Sequence, residues 1–114
     1  MQERRKFLRY DIPLQIKFKT SKSEKRYSAG LTRNFSRQGL CFISEDIIPY
    51  SKCIFELSIK HPQENRHISV VGDVVWTKQV KPKCLVGIKL IEMDKEAKLD
   101  ILDYAYDKWL ERKE

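Results

Sequence analysis

Arg5 and Arg9 stand four residues apart, as R-x-x-x-R, inside the run Arg4-Arg5-Lys6-Phe7-Leu8-Arg9. An arginine offers a flat fork of donors that fits phosphate oxygens bidentately, matches the O6 and N7 edge of guanine, or stacks on a base. Four residues of nearly extended chain span about 13 Å, so two such forks can grip opposite parts of one dinucleotide. The bland reading is a charged arm that stays out of the core. Further along, Asn34, Ser36 and Gly39 form N-x-S-x-x-G. Those residue types suit a tight turn, because Asn and Ser bond nearby backbone and Gly accepts positive φ. They also suit a ligand, offering an acceptor, a hydroxyl and bare backbone.

The composition limits what these groups can serve. A chain of 114 residues fits one domain, with enough buried surface for a core that needs no metal or disulfide. Hydrophobic residues make up 41%, with five phenylalanines, five tyrosines and two tryptophans, which rules out a disordered chain. The net charge of +7 favours anionic partners. No apolar run approaches the roughly 20 residues that span a bilayer, and no secretion signal follows the charged start. A cytoplasmic protein without membrane insertion is therefore expected. Cys41, Cys53 and Cys84 are odd in number and widely spaced, which speaks for buried packing in a reducing compartment.

Catalysis finds little support. His61 and His67 lie in a polar loop with no third ligand nearby, so no metal or cofactor is expected. No nucleophile elbow, P-loop or dinucleotide-fold glycine pattern is present. The expectation is a binding protein and not an enzyme.

The elements that must position the two motifs are mostly strands. Ile12–Phe18 alternates with apolar residues at Ile12, Leu14, Ile16 and Phe18, and Pro13 marks its start or an edge. Further runs are predicted at about Tyr27–Arg33, Leu40–Ile43, Lys52–Ile59, Ile68–Thr77 and Cys84–Ile91. Six strand-like runs at short spacing, with no helix between them, predict a mainly β fold: a six-stranded antiparallel β-barrel. The tail changes period. Asp94 can cap a helix whose stripe is Leu99, Leu102, Tyr106 and Trp109, widened by Ile101, Ala105 and Leu110. The stripe either covers the barrel or docks a partner. The expected organisation is one domain over 1–114, with a basic arm at 1–10, the barrel at 11–91 and a C-terminal helix at 94–112.

R-x-x-x-R before the first strand, followed by N-x-S-x-x-G between the second and third, resembles the signature of the PilZ family. The resemblance covers essentially the whole chain and implies the same barrel and helix. It implies a stand-alone bacterial receptor for the second messenger cyclic di-GMP, with no further cofactor. By motif position, Arg5 and Arg9 would hold phosphate and the Hoogsteen edge of guanine. Arg4 would help bind a second, stacked ligand molecule. Asn34 and Ser36 would contact a guanine and its surroundings, and Gly39 would admit close backbone approach. Trp76 resembles an aromatic near the site in some members, although valines flank it as they would a core residue. Two positions depart from the pattern: Asn34 stands where Asp is commoner, and Lys6 where some members carry a third arginine.

The implied mechanism is ligand-induced ordering of the arm, read by an unidentified downstream protein, with the receptor itself a monomer. The competing classes are a PilZ-fold adaptor of pilus or motility systems that binds no nucleotide, and a basic barrel that binds single-stranded nucleic acid. Members of the first class typically lack the arginines or the second motif, and both are present here. The second needs an aromatic platform that the strand-embedded aromatics do not provide, so no nucleic acid is expected.

Overall fold

The computed structural model describes residues 9–20, 26–45 and 53–113. The strands are β1 (Gln15–Thr20), β2 (Ser28–Phe35), β3 (Gly39–Ser44), β4 (Ile54–Lys60), β5 (His67–Val80) and β6 (Lys83–Met93), followed by helix α1 (Lys95–Lys113). All neighbours pair antiparallel in the order β1-β2-β3-β6-β5-β4, and β4 returns to β1 to close the barrel. Period-two alternation fills the interior. Ile16 and Phe18 of β1, Phe42 of β3, Phe55, Leu57 and Ile59 of β4, Val70 and Val74 of β5 and Val86 and Ile88 of β6 are buried together. The Phe18 ring lies 4.7 Å from Phe42 and 5.5 Å from Phe55, centroid to centroid.

The first strand begins later than its alternation suggests. Ile12 and Leu14 are buried, yet the ladder starts only at Gln15. Pro13 has no N–H to give, and the Thr32 side chain takes over. Leu14 N donates to Thr32 Oγ1 at 2.7 Å, and that hydroxyl donates to the Ile12 carbonyl. A side chain thus satisfies main-chain groups that the proline leaves out of register.

Three register shifts interrupt the strand pairing, one of them at Ile91 of β6, and the other two set which side chains leave the barrel near the motifs. In β2, Thr32 pairs with Phe42 and Asn34 with Cys41, so Arg33 is the extra residue. In β5, Val74 pairs with Ile88 and Trp76 with Gly87, so Val75 is extra. An inserted residue reverses the in–out alternation beyond it. Phe35 therefore turns inward and is fully buried, while Asn34 faces out. Trp76 faces out as well, 43% exposed. The alternative reading of Trp76 as a core residue is corrected by this bulge.

Helix α1 starts as the sequence predicts, with Ala97 N donating to Asp94 Oδ2 at 3.0 Å. Its buried side keeps Ile101, Ala105 and Leu102 of the predicted stripe, adds Ala97, and leaves the rest outside. Ala97, Ile101 and Ala105 join the core, with Leu102 and Tyr104 beside them. Leu99, Tyr106, Trp109 and Leu110 are exposed. Two alanines one i,i+4 step either side of Ile101 make a low surface, so the helix sits close to the barrel and the bulkier residues point away.

The helix reaches three neighbouring segments. Lys98 Nζ donates to the Arg37 carbonyl, Arg112 Nη1 to the Asp11 carbonyl, and Asp100 pairs with Arg66. Tyr104 meets His61 edge-on. Asp11 precedes β1, Arg37 joins β2 to β3, and His61 and Arg66 join β4 to β5, so α1 lies across one end of the barrel. His61 is committed to its loop, where Nδ1 accepts from Gln63 N and Glu64 N at 3.2 Å each.

The cysteines split three ways. Cys84 belongs to the core, Cys53 is only half-buried against it, and Cys41 lies on the outward side of β3. Buried packing of all three therefore holds for Cys41 and Cys84 and is corrected for Cys53.

Candidate ligand-binding site

The end of the barrel beneath α1 is also where Arg9 and the second motif lie. Tyr10 bridges to Phe35 through reciprocal main-chain bonds of 2.9 Å, which fixes the chain after Arg9 against the end of β2. Across the outside of the barrel, the pairing sets Asn34, Cys41, Gly87 and Trp76 in one row over β2, β3, β6 and β5. The row has a low middle, made by the small Cys41 thiol and by Gly87, over which the Trp76 indole lies. Arg9, Asn34, Ser36, Gly39 and Trp76 all line the trough there. The cavity measures about 270 Å³, many times the roughly 10–15 Å³ that one water needs. Arg4 and Arg5 lie outside the described residues, as does nearly all of the arm expected to order on binding.

The turn of the second motif is tightly made. Ser36 N donates to the Gly39 carbonyl at 2.9 Å, and Ser36 Oγ donates to the same carbonyl at 3.2 Å. That hydroxyl also accepts from Gln38 N at 3.4 Å and Gly39 N at 3.3 Å. Ser36 is therefore first a turn residue. Asn34 is different: among the described residues its side-chain amide has no hydrogen-bond partner, and it borders the cavity.

Gly39 is there for space and not for φ. No glycine has a positive φ, so the left-handed turn that the sequence suggests is absent. A Cβ on Gly39 would lie 2.3 Å from the Ile88 carbonyl oxygen. Bare backbone is needed for β3 to approach β6.

Gly87 escaped the sequence reading. A Cβ there would fall 2.2 Å from Cε2 and Nε1 of Trp76. Only glycine lets the indole lie down against β6. The sequence signal was a glycine in mid-strand, which often marks such close approach. Gln38 and Lys89 also line the cavity and were not singled out.

The electrostatics are cationic. Burial pushes the Cys41 thiol above its ordinary value, while the nearby charges of Arg33 and Arg9 pull it down. The thiol stays neutral at pH 7, so it adds no anion to the floor. Arg9 and Lys89 supply positive charge at the walls. An aromatic face, amides and cations together suit a planar, hydrogen-bonding, negatively charged ligand.

The model of the PilZ domain matches residues 3–107. The chain belongs to the PilZ domain family. Two solved structures illustrate the likeness. The Bacillus subtilis inhibitor of motility (MotI/DgrA) superposes with a TM-score of 0.81 at 19% identity over 99% of this chain. This PilZ domain spans 55% of that protein. The PilZ domain of YcgR from Escherichia coli, solved with c-di-GMP, gives a TM-score of 0.73 at 11% identity. That match covers 96% of this chain and 97% of that one. At these identities the likeness is one of fold. No curated protein sequence is a match. Among the described residues no helix is long and apolar enough to cross a membrane.

Proposed function

We propose that this PilZ domain is a receptor for cyclic di-GMP, acting as a regulatory binding domain and not as an enzyme. The observation that carries the reading is the shared cavity. Arg9 and the second motif, 25 residues apart in sequence counted from Arg9 to Asn34, both line one trough beside an outward tryptophan. Arg5 and Arg9 hold phosphate and a guanine edge, with Arg4 available to a second ligand molecule. Asn34 accepts from a guanine, and Trp76 supplies a face for stacking. The signal passes from the arginine arm to a partner protein in the cytoplasm.

Titration calorimetry with cyclic di-GMP, GTP and a short single-stranded DNA tests this. The expected result is saturation by a small whole number of dinucleotides with mild salt dependence. Preferential DNA binding with a steep salt slope would overturn the reading.

Asn34 offers a sharper test. The Watson–Crick edge of guanine presents N1–H and N2–H₂ as donors, so the protein should supply acceptors. Asn has one acceptor oxygen and Asp has two. Asn34→Asp should therefore bind as well as the parent or better, despite adding negative charge beside a dianion. Asn34→Ala should bind several-fold more weakly. Dissociation constants and melting temperatures of the three proteins at one salt concentration decide the matter. Equal affinity for all three would mean that Asn34 only shapes the turn.

A further inference from the structure

We propose that Lys89 is a specificity-determining residue of this site, donating from its ammonium to the O6 and N7 edge of a guanine stacked on Trp76. The inference rests on the cyclic di-GMP reading above. One face of the Trp76 indole lies on Gly87, and the other is open to a base, since the side chain is 43% exposed. Lys89 follows Gly87 by two residues in β6 and so projects from the same side of the sheet, about 7 Å along the strand. A lysine side chain has a comparable reach, which brings its ammonium to the rim of a base lying on the indole. On β3 the residue opposite Lys89 is Gly39, which has no side chain to fill the approach.

The competing partner is Asp73, opposite Lys89 on β5. Cross-strand pairs of opposite charge are common, yet among the described residues Lys89 makes no ion pair, and it is Lys89 and not Asp73 that lines the cavity. The chemistry then selects the base. Guanine presents two acceptors, O6 and N7, on that edge, whereas adenine replaces O6 by an amino donor. A cation placed there favours guanine and disfavours adenine. A cation on phosphate would favour neither.

Calorimetry on the parent, Lys89→Met and Lys89→Arg, with cyclic di-GMP and cyclic di-AMP at two salt concentrations, separates these cases. The expected result is that Lys89→Met weakens cyclic di-GMP roughly tenfold, with cyclic di-AMP no weaker and the salt slope nearly kept. Lys89→Arg should restore most of the preference. An equal loss for both ligands with a reduced salt slope would make Lys89 a phosphate contact and overturn the inference. Undiminished cyclic di-GMP affinity in Lys89→Met would also overturn it, while leaving the receptor reading intact. A parent protein that binds neither dinucleotide would overturn both.

Discussion

Arg9→Ala should lower cyclic di-GMP affinity by roughly ten- to a hundredfold, because a charge-assisted hydrogen bond contributes about 1.5–3 kcal/mol. The fold should survive. Arg9 is exposed, precedes the first strand, and among the described residues makes no ion pair. The chain is fixed there by the main-chain bridge of Tyr10 to Phe35, which the substitution leaves alone. Calorimetry and thermal melting followed by circular dichroism separate binding from folding. Unchanged affinity would remove Arg9 from the site, and a collapsed melting transition would make it a structural residue. Cys41 provides an independent readout. Removing one of the two positive charges that oppose its burial should raise the thiol's pKa further, so its alkylation at mildly alkaline pH should slow.

Gly39→Ala should damage both the fold and the site. The added Cβ would sit 2.3 Å from the Ile88 carbonyl oxygen, a main-chain atom that cannot rotate away. Either β3 separates from β6 or the turn opens. The first gives up ladder bonds on one side of the barrel, and the second breaks the Ser36 bonds that close the motif. Overpacking of this kind costs about 1–3 kcal/mol, which for a chain of this size lowers the melting temperature by at least several degrees. Denaturant unfolding and calorimetry on Gly39→Ala would measure the two losses. A variant as stable as the parent would show that the strands tolerate a wider gap, and would leave Gly39 without a spatial role.

Much of the barrel was legible because its signal is periodic. Ile16, Phe18, Phe55, Leu57 and Ile59 alternate in sequence and are buried in the structure. Asp94 announced the helix by the chemistry of one carboxylate. What alternation cannot register is an inserted residue. Arg33 and Val75 look like ordinary strand positions, yet each reverses the facing of the residues beyond it, and Asn34 and Trp76 reach the trough for that reason. Space is equally silent. A glycine needed because Trp76 lies on it reads the same as one needed for a turn, so Gly87 went unnoticed and Gly39 was assigned a conformational reason it does not have. The helix stripe misled because hydrophobicity was weighed over size. Ala97, which the stripe leaves out, is weakly apolar, yet together with Ile101 and Ala105 it brings the helix into contact.

Ring closure restricts how other molecules can approach the barrel. In an open sheet the outermost strand keeps a row of unused main-chain groups, and many peptides attach by extending the sheet there. Here β4 returns to β1, so each strand's main chain is engaged on both sides along its paired stretch. Strand addition is closed off, which guards against fibrous stacking. It also means that recognition along the paired strands has to be written in side chains, the part of the molecule that evolution can rewrite most freely without disturbing the ladder.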